Sequence, residues 1–151
     1  MSAVPHSMPR LAVALGIAGL IPFLAGTLVV WLPMSAGYAT TGLQLVTIYG
    51  AIILSFLGGV RWGTAIGPYD GHRQGMEFGL SVLAPLAGVL AVVLPFEAGL
   101  TLLIGGFLLQ ALWDVTSSEA GQLPLWFGRL RMSLTIVVIL TLIADLFAVV
   151  I

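Results

Sequence analysis

Long apolar runs broken by short polar stretches set the pattern of this chain. A helix that crosses a bilayer needs about 20 mostly apolar residues. Five such runs are present, at 11–32, 41–65, 76–94, 98–115 and 127–150. The pattern predicts an all-α integral membrane bundle of five transmembrane helices in a single domain covering 1–151. Pro22 falls inside the first run and Pro85 inside the third, and a kink is expected at each, because neighbouring helices can re-satisfy the carbonyl that a proline frees.

The second run has the most telling distribution. As one helix it places Gln44, Thr47, Ala51, Ser55, Gly58 and Trp62 on a common face, at steps of three and four. Val46, Ile53, Leu57 and Val60 fall on the other. One side is small and polar, the other apolar. Helices in lipid associate through close backbone approach and hydrogen bonds, so the small face is the expected packing seam, carried by Gln44, Ala51, Ser55, Gly58 and Gly59. Glycines recur at every fourth position from Gly59 to Gly79. Gly59 and Gly63 are expected to permit close packing, whereas Pro68 and the polar residues after it predict a flexible loop.

Composition agrees with the run lengths. Only 7 % of the 151 residues are charged and 60 % are hydrophobic, with a mean hydropathy of +1.15. Soluble domains are about a quarter charged, so this chain could not cover a fold in water. There is no lysine and the net charge is −1, which gives a nucleic acid no electrostatic footprint. No cysteine is present, which excludes disulfides, thiol catalysis and thiolate metal sites. The first run is longer than the apolar core of a signal peptide (about 7–15 residues), and no persuasive cleavage site follows it, so it is read as a retained span.

Charge also orders the ends. Arg10, Arg61, Arg73, Arg129 and Arg131 all fall at one end of a five-span bundle, and the opposite end has no arginine. The positive-inside rule then predicts a cytoplasmic N-terminus and an external, periplasmic C-terminus. Trp31, Trp62, Trp113 and Trp126 lie near span ends, where an interfacial aromatic belt is expected. Arg129 and Arg131 read as topological anchors beside anionic lipid heads.

Few residues offer chemistry. Arg61 and Asp114 sit at the same end of their spans, and Gln110 precedes Asp114 by one turn. With Trp62 and Trp126 they form a candidate polar cluster, in which the paired charge holds an anionic head group or forms a gate, or is a structural salt bridge, or leaves Arg61 to snorkel to lipid phosphates. Asp145 is a possible buried acid near the other end of the fifth span. Its alternatives are a proton relay, a contact with a partner, a helix cap, or a side chain that reaches outer water. His6 and His72 lie outside the spans, so no metal or haem site is expected. No paired catalytic carboxylates, HExxH motif or phosphate-binding glycine loop appears. Neither catalysis nor a cofactor is expected.

Three segments carry a resemblance: 15–23 (LGIAGLIPF), 49–63 (YGAIILSFLGGVRWG) and 123–135 (LPLWFGRLRMSLT). They resemble an uncharacterised, domain-of-unknown-function family of small bacterial inner-membrane proteins related to mitochondrial transmembrane protein 69. The resemblance implies a five-span protein of the bacterial inner (cytoplasmic) membrane. Its marked positions here are Pro22, Tyr49, Ser55, Gly58, Gly59, Arg61, Trp62, Trp126, Arg129 and Arg131. It implies no catalytic residue. The preferred expectation is an accessory or assembly partner of a larger membrane complex. The alternative is a binder or transporter of a hydrophobic small molecule such as a quinone, lipid or tetrapyrrole. A binder predicts a cavity between helices with Arg61 turned inward, and an accessory subunit predicts a filled bundle with small residues turned outward.

Overall fold

The computed structural model of the chain describes residues 8–32, 36–67 and 71–151. His6, Pro68 and the side chains of His72 and Arg73 fall outside the described parts. The order is α1 (Arg10–Ala18), α2 (Ile21–Trp31), α3 (Ala36–Ala65), α4 (Gly71–Val93), α5 (Phe96–Glu119) and α6 (Leu125–Val150), with no strand among the described residues. Five stretches are long and apolar enough to cross a membrane: Arg10–Trp31, Gly37–Ala65, Gln74–Val93, Phe96–Glu119 and Leu125–Val150. At 1.5 Å per residue each spans at least the roughly 30 Å hydrocarbon core. The chain is a multi-pass membrane helical bundle.

The first span is two helices, α1 and α2, interrupted at Gly19 and Leu20. Pro22 explains the interruption, since its ring cannot donate and crowds the preceding turn. The Tyr49 hydroxyl of α3 donates to the Gly19 carbonyl at 3.1 Å, which satisfies a backbone acceptor exposed by the break. Pro85 acts differently, because α4 runs through it from residue 71 to 93 without interruption. Pro85 lacks the N–H that would bond Ser81 O, and that carbonyl lies against Gly58 of α3, where a Cβ would sit 2.5 Å from it.

Helix ends extend past the apolar runs. Residues 71–75, expected in a flexible loop, are the first turns of α4. The Gln74 amide donates to the Ala65 carbonyl at 3.0 Å and ties that turn to the end of α3. At the end of α5, Gly121 adopts φ +75. The Gly121 N–H bonds Ser118 O and the Gln122 N–H bonds Ser117 O, a Schellman arrangement that stops the helix and starts the turn into α6.

Within the bundle α3 packs against α2, α4 and α5, and α6 packs against α5 and α2. The apolar centre is Phe23, Val46, Leu54, Leu103, Phe107 and Leu142, with the Phe23 ring edge-on to Tyr49 and Phe107. The seam of α3 differs from its sequence pattern. Thr47, Ala51 and Gly58 are buried, and the Gly88 backbone of α4 fits against Ala51 and Ser55. The Ser55 hydroxyl bonds back to Ala51 O at 2.7 Å and so serves its own helix. Gln44 and Gly59, expected in the seam, are exposed, while Val46 and Leu57 of the apolar face are buried against apolar neighbours. Alpha-helical α3 is enclosed on three sides, so its buried arc is wider than one stripe of small residues. Gly59 and Gly63 have nothing within 4 Å of an added Cβ. Close approach occurs instead at Gly26 with Gly42, at Gly58 with Ser81, and at Gly99 with Ala91. Outward-facing Ile52, Phe56, Leu83, Leu109 and Leu140 form a surface suited to lipid.

Candidate functional site

Four charged side chains from four different helices meet at the arginine-bearing end. Arg61 of α3 is 1 % exposed. Its Nη2 donates to both oxygens of Glu77 on α4, at 2.9 and 2.7 Å. Its Nη1 lies 3.7 Å from Asp114 Oδ1 of α5, an ion pair without a hydrogen bond. The other Asp114 oxygen accepts from Arg131 Nε of α6 at 3.0 Å. The charges alternate Glu77, Arg61, Asp114, Arg131 and their formal sum is zero.

Local packing brings each of them in. Gly58 lets α3 touch α4 at Ser81. One turn further along α3 is Arg61, and one turn back along antiparallel α4 is Glu77. Gly128 does the same for the other pair, because a Cβ there would meet the Ser118 hydroxyl at 2.8 Å. That close approach sets Arg131, one turn later, opposite Asp114. Trp113 lies over the Arg61 guanidinium with 4.0 Å between its ring centre and Cζ. The arginine is therefore enclosed by an aromatic face and two carboxylates, an arrangement in which a cation inside a membrane protein is tolerable.

Sequence reasoning placed some of these residues and missed others. Arg61, Asp114 and Gln110 are buried together. Trp62 is not with them: it is exposed and lies against Phe78 with 4.7 Å between rings. Consecutive residues on a helix point about 100° apart, so Arg61 and Trp62 cannot share a direction. Trp126 is half-buried beside Phe127. The aromatic partner is Trp113, half-buried near the end of α5. Arg131, expected as a lipid-facing anchor, is buried on Asp114, whereas Arg129 is exposed. Glu77 was not singled out, and its signal was a lone acid just inside an apolar run.

Beside this cluster is an open-sided cavity of about 450 Å³, a groove between the start of α4 and the end of α5. Glu77 and Trp113 form part of its wall, together with Met76, Thr116, Ser117, Ala120 and Gln122. The two residues that clamp Arg61 thus face a space of ligand size. Among the described residues, buried polar atoms without a hydrogen-bond partner include Arg61 Nε, Asp114 Oδ1, Arg131 Nη2, Gln110 Nε2 and Thr135 Oγ1, and Gln122 Oε1 in the wall itself. Buried polar groups are almost always paired, with protein or with water, so these atoms are open to a further hydrogen bond.

Asp145 occupies a separate position near the end of α6. It is fully buried, and the Thr27 hydroxyl of α2 donates to its Oδ2 at 2.9 Å. Its Oδ1 has no hydrogen-bond partner among the described residues. The side chain neither caps a neighbouring helix nor reaches outer water, because α2 covers it.

Comparison with known proteins adds the family. The chain is 34 % identical over 143 residues to Transmembrane protein 69 of Xenopus tropicalis, which covers 91 % of this chain and 54 % of that protein. The chain therefore spans about half the length of that relative. No solved structure matches it. The family described as Protein of unknown function (DUF3429) matches residues 8–147, a range that takes in the four charged residues and Asp145, and the chain belongs to that family.

Proposed function

We propose that this protein is a membrane-embedded binder of a small amphipathic molecule, whose polar head enters the bundle at the arginine-bearing end. The observation that carries this reading is the cavity of about 450 Å³ that shares Glu77 and Trp113 with the buried charge cluster. Arg61 is turned inward beside a space between helices, the arrangement expected of a binder. Small-molecule sites are concave, about 300–1,000 Å³, and combine an apolar lining with a few placed polar groups. The role is binding or transfer rather than catalysis. By the positive-inside rule the cavity would open to the cytoplasmic side of a bacterial inner membrane.

A second reading has its own support. Gly59, Gly63, Gly75 and Gly79 are exposed and have open space where a Cβ would be. Small residues turned outward suit an accessory subunit that packs against a larger complex.

Native mass spectrometry of the protein, gently extracted from its own membrane, separates the two. A small molecule retained at fixed stoichiometry, and lost when Ala120→Trp fills the cavity, supports the binder. Co-purified protein subunits without such a molecule sink it in favour of the accessory role.

A further inference from the structure

We infer that the head of the bound amphiphile carries an anionic oxygen group, a carboxylate or a phosphate, and that Glu77 holds its place on Arg61 until it arrives. The inference rests on the binding reading above.

Three observations support it. The Glu77–Arg61 contact is incomplete, because both carboxylate oxygens accept from the single Nη2 nitrogen. An arginine fork matched to a carboxylate uses two nitrogens, and here Arg61 Nε has no acceptor. The unpartnered groups around the cluster are also weighted towards donors. Among the described residues there, three buried nitrogens lack acceptors, Arg61 Nε, Arg131 Nη2 and Gln110 Nε2, on residues that are 1 %, 8 % and 5 % exposed, against two buried oxygens that lack donors, Asp114 Oδ1 and, in the cavity wall, Gln122 Oε1. A ligand rich in acceptor oxygens answers that excess, and an ammonium head would add to it. The third observation is charge. With Glu77 in place the four residues sum to zero, and if Glu77 turns away they carry one net positive charge. Glu77 lies in the cavity wall, and a turn towards the open side of that space would take its carboxylate off Arg61 and away from the arriving head while Asp114 and Arg131 stay in place. An arriving anion restores neutrality. A neutral head leaves Glu77 where it is and the donors unserved.

The test compares three probes on the full-length protein in detergent, by native mass-spectrometric titration: oleate, dioleoyl phosphatidate and oleyl alcohol. Glu77→Gln keeps the shape of the side chain and one acceptor for Arg61 but removes the competing charge. The expected result is that at least one anionic probe binds about tenfold or more tighter than the alcohol. Glu77→Gln should tighten that probe by a further factor of about ten and leave the alcohol unchanged. Arg61→Gln should abolish the preference, and if that variant does not fold, Glu77→Gln decides alone because Arg61 is intact in it. The better of the two anions tells a free carboxylate amphiphile from a phosphate-headed lipid. Equal binding of all three probes, or weaker anion binding by Glu77→Gln, overturns the inference. If that binding is still lost in Ala120→Trp, the cavity reading survives. If no probe binds, or binding ignores Ala120→Trp, the binding reading itself fails and takes this inference with it.

Discussion

The Trp113 ring centre lies 4.0 Å from the Arg61 guanidinium carbon, in a place where the arginine is almost wholly shielded from the surroundings. A desolvated cation over an indole face is worth about 2 kcal/mol or more. Trp113→Leu should therefore destabilise the protein by about 2 kcal/mol or more, read as unfolding in detergent with a chemical denaturant. Trp113→Phe should recover part of that loss, because it keeps an aromatic face. A loss no larger than that of Trp62→Leu, whose ring is exposed, would show that the stacking carries no weight.

The two arginines at the head of α6 should respond unequally. Arg131 is buried on Asp114, and removing one partner of a buried pair costs about 3–5 kcal/mol. Arg61 also faces Asp114, so Arg131→Met should fall near the lower end, about 3 kcal/mol. Adding Asp114→Leu should cost less than the sum of the two single changes, since it removes the acid left unpaired. Arg129→Met should stay within about 0.5 kcal/mol, the range of an ordinary surface change. Equal effects at the two arginines would restore the reading of both as lipid anchors.

Glycine substitutions test where the helices touch. A Cβ on Gly58 would meet the Ser81 carbonyl oxygen at 2.5 Å and Pro85 Cδ at 3.0 Å, and α3 and α4 would have to separate. Overpacking of this kind costs about 1–3 kcal/mol, and Gly58→Ala should also weaken the Arg61–Glu77 pair one turn away. Gly59→Ala meets nothing within 4 Å and should be neutral or stabilise by up to about 1 kcal/mol through helix propensity. If Gly59→Ala is the more damaging in the isolated protein, the inward seam has been assigned to the wrong glycine. Damage seen only in the native membrane would point to a partner on that face.

These contrasts mark what was legible in the sequence. Run lengths were enough to place five spans, because lipid imposes a minimum apolar length on each. They did not reveal which side of each span faces inward. In water a polar face marks the outside, but in lipid both sides of a helix are apolar, so buried Val46 and exposed Ile52 look alike. Polarity even misleads there, since Gln44 is exposed. Charged residues were the better guide, as Arg61 and Asp114 do lie together. Glu77 was overlooked as a lone acid near a span end, and Arg131 was grouped with Arg129 although two residues apart on a helix means nearly opposite directions.

Asp145 and Thr27 supply the last prediction. The Thr27 hydroxyl donates to Asp145 Oδ2 at 2.9 Å, and the second oxygen has no hydrogen-bond partner among the described residues. Thr27→Val keeps the volume and removes the donor, leaving a buried carboxyl group with neither oxygen served. The expected cost is about 1–3 kcal/mol. Thr27→Ser keeps the hydroxyl and should cost clearly less. Replacing both partners by apolar groups can be nearly neutral, because no polar group is then stranded. Thr27→Val combined with Asp145→Leu should therefore be more stable than Thr27→Val alone, measured as the denaturation midpoint of the purified protein. That result would show that the pair is not required for folding, and would make any loss of ligand or partner binding in the double variant attributable to the missing acid. If the double variant is instead the less stable one, Asp145 supports the bundle by contacts beyond Thr27 and has a structural role.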